Sequence, residues 1–245
     1  MTRRFLVPVL FAASLCCAPP VLQAAPARWD RPTISGDVTW SGEIDLDDSV
    51  TVAPGGSLRI LPGTRVRVAA GKGVAITAQG RFSIEGTAGE GAVVFLPEKP
   101  GGPLDQWEGI RFPGGGKEPG TLAGFRLEGA REGVSVAEGA VSLRDAVFSR
   151  CGAGYRGNQK SRAVFDNCLF DGNGNGAFLS FGAEGVFRGS RFTNILGSGI
   201  AADKGAVLSV SGCLFERGKE LPRALAPGNR RRPCQKEKER FHSDG

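Results

Sequence analysis

The chain has 245 residues, 40% of them hydrophobic, which is enough for a packed core and argues against wholesale disorder. Its formal charge of +6 is uneven: Arg3, Arg4 and the segment 217–245 carry all of the excess, and residues 25–216 come to −1. A near-neutral body excludes nucleic-acid binding through a broad basic field, and 38 glycines without a three-residue period exclude collagen and call for many tight turns.

The N-terminus reads as a targeting segment. Arg3 and Arg4 precede a 13-residue apolar stretch, Phe5 to Cys17, and Ala24 offers the small residue that a signal peptidase needs. A signal peptide over 1–24 is therefore expected, which makes the protein exported: periplasmic, at the cell surface or secreted. Lipidation at Cys16 or Cys17 is the alternative, but Leu15 and Cys16 stand where a small residue should precede a lipidated cysteine. The apolar stretch is short for a bilayer span, and no transmembrane segment is expected after it. Residues 25–48, with Trp29 and Trp40, are expected to form a lead-in and an N-terminal cap.

From Val50 the chain repeats. Val50 and Val52 recur as Val74 and Ile76, and Leu58 and Ile60 as Phe82 and Ile84, all offset by 24. Gly73-Val74 and Gly109-Ile110 begin a glycine–aliphatic series, and a loop rich in Gly and Pro over 97–106 leads into Trp107 to Phe112. The second half is more regular. Leu127, Phe148, Phe170, Phe192 and Phe215 follow one another at intervals of 21 to 23 residues. Six or seven residues after the first four comes a glycine (Gly133, Gly154, Gly176, Gly199), then Val134, Tyr155, Ala177 and Ile200. Five residues before each anchor stand Leu122, Leu143, Phe165, Phe187 and Val210.

Within each unit three short apolar patches alternate with period two, the period of a strand, between Gly, Asn and Asp turns. A unit of 22–24 residues with three strands is one coil of a parallel β-helix. The spacing predicts roughly seven coils over 49–216, an all-β solenoid. Residues 217–245 lose the period and are expected to be a basic, disordered tail, or the end of a truncated or frameshifted product.

The strand, Pro-Gly turn and Gly-Thr run over Val50 to Thr64, with Trp107 to Ile110, resembles secreted bacterial right-handed parallel β-helix repeat proteins of the pectate-lyase-like superfamily. The resemblance implies the right-handed fold over about 38–216. It implies no single function, since this scaffold serves lyases, hydrolases, adhesins and inert stalks.

Candidate chemistry is sparse. The one histidine, His242, lies in the tail, which removes His triads and His metal sites from the body. The superfamily's hydrolases use clustered aspartates and its lyases a Ca²⁺-binding acidic group, so Asp145, Asp166 and Asp171 are the acids to weigh. Asp145 and Asn167 share a position three before the anchor, where Asp and Asn also serve turns for local reasons. Ahead of the anchors, Val147, Leu169, Arg191 and Leu214 point outward, a candidate contact strip that makes Arg191 a weak ligand-binding candidate. Phe178 is the outward aromatic of the register. Cys168 and Cys213 lie two coils apart with Ser190 between, about 9.6 Å by coil spacing, too far for a disulfide.

The sequence therefore favours an exported, non-catalytic structural or ligand-binding surface in the envelope or outside the cell. The alternative is a polysaccharide-active lyase or hydrolase. No catalytic residue, metal or cofactor is expected. Candidate partners are envelope polysaccharide, another envelope protein, or a second copy meeting end to end.

Overall fold

The computed structural model describes residues 27–114, 119–203 and 205–216. The expected signal peptide, Cys16 and Cys17, and the tail from 217, with Cys234 and His242, lie outside the described residues.

Among the described residues 25 strands fall into three parallel sheets, and strands pair with the third strand before and after them, those at the sheet ends on one side. Sheet A has nine strands, from Ala27–Trp29 to Leu214–Glu216. Sheet B has eight, from Thr33–Ile34 to Ile200–Ala202. Sheet C has eight, from Asp37–Trp40 to Val207–Ser211. A chain visiting A, B and C in strict rotation is a β-helix. Parallel crossovers are right-handed in ~98% of cases, because right-twisted strands feed back onto their sheet only that way. The only helix is a single 3-10 turn, Gly89–Gly91, so among the described residues no helix is long and apolar enough to cross a membrane.

The solenoid has eight full coils and begins a ninth, where the repeat spacing led to about seven. The additional coil is the lead-in: Trp29 pairs with Leu46, Ile34 with Val52 and Trp40 with Ile60. These offsets of 17 to 20 residues are shorter than those downstream, and strands of two to four residues carry too little alternation to be recognised alone.

The predicted columns exist. Leu127, Phe148, Phe170, Phe192 and Phe215 stand in register on sheet A, and Phe95, Val66 and Ile44 extend the column toward the N-terminus. Leu122, Leu143, Phe165, Phe187 and Val210 form the matching column on sheet C. One register needs correction. Val50 pairs with Ile76 and Val52 with Ala78, an offset of 26, so Ala75-Ile76 rather than Gly73-Val74 stands opposite Gly109-Ile110. The turn through Gly71 and Gly73, both at positive φ, adds two residues between sheets A and B without disturbing the offset of 24 on sheet C.

Side-chain shape explains the glycine series. A Cβ on Gly133, Gly154, Gly176 or Gly199 would fall 2.6–2.8 Å from Cδ1 of the phenylalanine anchor one coil on. The anchor ring needs that space, and each ring it seats is buried for about 2 kcal/mol or more. Corners on either side of sheet A use left-handed backbone. Asp145 and Asn167 hold φ of 51° and 53° at one corner, Arg150 and Asn194 of 51° and 53° at the other. Asp and Asn tolerate this region because their short side chains bond locally, and glycines occupy the equivalent positions on other coils.

Candidate functional site

Strand alternation on sheet B turns Ile110, Val134, Tyr155 and Ala177 into the core and their neighbours outward. The outward column reads Thr51, Thr77, Arg111, Ser135, Arg156, Phe178, Ala201 on consecutive coils. Glu108 and Glu132 each precede the glycine of their coil and flank this column. The tight glycine lets the chain enter sheet B while the acid before it stays at the sheet margin.

These side chains form two linked clusters. Glu108 accepts a close ion pair from Arg111, and its other oxygen lies 3.8 Å from Arg131 Nη1. One and two coils on, Glu132 Oε1 lies 2.6 Å from Arg156 Nε, although that N–H is not directed along the contact. The Arg156 guanidinium also sits 5.0 Å over the Phe178 ring. The carboxylates are the more buried partners, with side chains 21% and 24% exposed, whereas Arg131 is 64% exposed. Exposed pairs of this kind contribute ~0.2–1 kcal/mol, so an incoming anion or hydroxyl can replace a carboxylate partner at little cost. Arginine forks beside an aromatic face suit planar or polyhydroxylated anions.

Beyond the B-side strands the coils turn into sheet C with unequal numbers of residues. Seven residues separate Gly109–Phe112 from Gly120–Ala123, two separate Glu132–Val136 from Gly139–Arg144, and three separate Ala153–Gly157 from Ser161–Asp166. Four separate Asn175–Leu179 from Glu184–Arg188. The two-residue turn leaves a notch beside longer neighbours: a cleft of about 570 Å³ lined by Ala137, Glu138, Asn158, Gln159, Lys160 and Phe181. Gln159 and Phe181 hold φ of 51° and 55°, a conformation costing a non-glycine residue about 1 kcal/mol or more. Phe181 is 56% exposed and lies three residues past Phe178, so it joins Phe178 as an aromatic presented outward.

The weighed acids do not converge on one partner. Asp145 accepts a hydrogen bond from Asn167 Nδ2 at 2.6 Å, on a corner. Asp166 faces Arg188 at 3.5 Å on sheet C. Asp171 accepts from Thr193 Oγ1 and Asn194 Nδ2, at 2.7 and 2.6 Å. Arg191 is exposed on sheet A between Leu169 and Leu214, as the outward strip required. Val147 and Leu169 in that strip are half-buried. Among the described residues no group of three or more His, Cys, Asp or Glu is arranged to hold a metal ion.

The cysteines are column fillers. Cys151, Cys168 and Cys213 are free thiols. Cys151 Sγ donates toward Ser149 O at 3.4 Å and Cys168 Sγ toward Asp166 O at 3.5 Å. Burial pushes both of these thiols up to about 12, which leaves them without thiolate character.

Sequence reasoning passed over Glu108, Arg111, Arg131, Glu132, Arg156 and the corner cleft. A signal existed: both Glu-Gly pairs, at 108–109 and 132–133, open the glycine–aliphatic column already in hand, and Arg111 and Arg156 follow its aliphatic members directly.

Residues 107–226 match the family described as right handed beta helix region. No curated protein and no solved structure matches the chain at a significant level. The matched segment contains the sheet-B clusters and the corner cleft, and the fold is consistent with the pectate-lyase-like resemblance. Three parallel sheets wound coil by coil and the family match together make this chain a right-handed parallel β-helix repeat protein.

Proposed function

We propose that the protein is an exported, non-catalytic β-helix whose sheet-B face is a ligand-binding surface in the cell envelope or outside the cell. The observation that carries this reading is the run of Arg111, Arg131 and Arg156 on one face, with Arg156 over Phe178 and the Phe181 cleft at its margin. Envelope polysaccharide with acidic groups suits this chemistry: guanidinium forks for carboxylates, aromatic faces for sugar rings. The test is a glycan array probed with the full chain and with Arg156→Ala and Phe178→Ala. Binding of acidic glycans should fall by about tenfold or more in both variants, with the circular dichroism unchanged. Equal binding by wild type and variants, or none by either, would refute the reading.

A second reading, a polysaccharide lyase or hydrolase, has one observation in its favour: Arg111, Glu132 and Arg156 stand on one sheet, with Glu108 and Arg131 in contact at its margin. In this reading Glu108 or Glu132 would act as general base from beside its guanidinium partner. Appearance of unsaturated products by ultraviolet absorbance, or of new reducing ends, abolished by Glu108→Gln or Glu132→Gln, would establish it.

A further inference from the structure

Each inward column keeps its members buried until the last coil. Phe187 and Phe192 are 0% and 1% exposed, whereas their successors Val210 and Phe215 are 42% and 52% exposed, and Leu208 is 39% exposed. Phe215 stacks on Phe192 at 4.7 Å through one face, and its other face has no following anchor among the described residues. Among the described residues, strands Ile200–Ala202, Val207–Ser211 and Leu214–Glu216 each pair on one side only. A strand edge of this kind carries backbone N–H and C=O groups able to take another strand.

Such edges are ordinarily blunted by charge. One and two coils back, the outward positions flanking sheet C hold Arg162, Asp166, Glu184 and Arg188, joined in ion pairs. On the last coil those positions hold Val207 and Ser211, while Ser209 follows the uncharged Val164 and Val186, with Ala201 on sheet B and Leu214 on sheet A. Val207 and Leu214 are 60% and 44% exposed. The opposite end is different. Trp29 and Trp40 close it edge to face, centroids 5.2 Å apart, with Trp40 and Ile34 only 1% and 2% exposed. Among the described residues it offers no exposed large apolar side chain for head-to-tail stacking.

We infer that the last coil is a docking surface for a second copy of this chain, joined C-terminal end to C-terminal end about a twofold axis. The two ends are then the same patch, as an isologous interface requires. The axis sets the paired edges antiparallel, so their free N–H and C=O groups meet. A coil of 22 residues, the spacing from Phe170 to Phe192, also falls within the roughly 20–30 residues a side of a stable interface. This association is independent of what the sheet-B face binds, since sheet-B side chains point sideways from the axis.

The experiment is light scattering and sedimentation of the full chain over a concentration series. The double variant Val207→Lys/Ser211→Lys changes only outward side chains and restores charge where Glu184 and Arg188 carry it one coil back. The wild type should approach twice the 25.6 kDa monomer mass. The double variant should weaken the dimer by about tenfold or more with its circular dichroism unchanged. A photo-crosslinker at position 214 should join the last coils of two copies. Three results would overturn the inference: a monomer at every concentration, a dimer indifferent to the lysines, or crosslinks to 217–245 of the same chain or to Ala27–Trp40 of another.

Discussion

The rings of Phe170 and Phe192 lie 4.6 Å apart with their planes 2° from parallel. Aromatic pairs left to themselves favour offset or edge-on packing, so this stacking is imposed by coil spacing of about 4.8 Å. Phe148 and Phe215 continue the stack at 5.0 and 4.7 Å. Phe170→Ala opens a cavity that rings on both sides cannot close, and should cost ~3–5 kcal/mol in denaturant unfolding. Gly176→Ala should be harmful as well, because its Cβ would meet the Gly199 carbonyl oxygen at 2.2 Å as well as the Phe192 ring. A Phe170→Ala loss below ~1 kcal/mol would mean the stack is not a principal source of stability.

Arg150 spans two coils to clasp the loop after Pro97, donating from Nη2 to Gly101 O at 2.8 Å and Gly102 O at 2.6 Å. It does so from φ 51°. Arg150→Ala keeps the left-handed strain and loses the clasp, so it should destabilise by ~1–2 kcal/mol. Arg150→Gly loses the clasp but relieves the strain, and should be the milder change by ~1 kcal/mol. Both should speed limited proteolysis within 98–106. Equal cleavage rates in wild type and variants would show that the loop is held by other contacts.

Cys151 and Cys168 titrate near 12 in the folded chain because burial disfavours their thiolates, against an ordinary 9.0. Raised folded values mean that the stability they confer is complete below pH 9 and is lost as the pH climbs from 9 toward 12. Unfolded thiols ionise in that window and folded ones do not. Native protein should therefore leave both thiols unreactive toward a disulfide reagent at pH 8 and expose them in denaturant. Cys168→Ala should flatten the decline in stability over pH 9–11. Rapid native labelling of either residue would contradict the burial.

The buried Tyr155 hydroxyl and Ser161 Oγ neighbour each other without well-formed hydrogen-bond geometry, and neither has another partner among the described residues. Burial also pushes the Tyr155 phenol above its ordinary value. An unmet buried hydroxyl costs ~1–3 kcal/mol, so Tyr155→Phe should be neutral or stabilising by up to ~1 kcal/mol while keeping the edge contact with Phe165 at 4.9 Å. A loss of more than ~1 kcal/mol would reveal a hydrogen bond at that hydroxyl.

The sequence by itself determined the coil, the strand period and the inward columns from Leu127 to Phe215. In a β-helix, like positions stack directly, so a residue's neighbours are its counterparts one repeat away. It left Asp145 both a candidate acid and a turn residue, and the structure places it with Asn167 at a corner. Tertiary structure decided what depends on turn length and on unlike residues meeting. The two-residue excess near Gly71 shifted one sheet against the others, and the short Ala137-Glu138 turn opened the cleft that Phe181 overlooks. Glu108 recurs as Glu132, but Arg111 and Arg131 have no arginine one coil on, so no periodicity announces that these three meet. The last described coil follows the same logic. Phe215 has the same sequence signature as Phe192, yet one ring is 52% exposed and the other 1%, since no further coil follows Phe215 among the described residues.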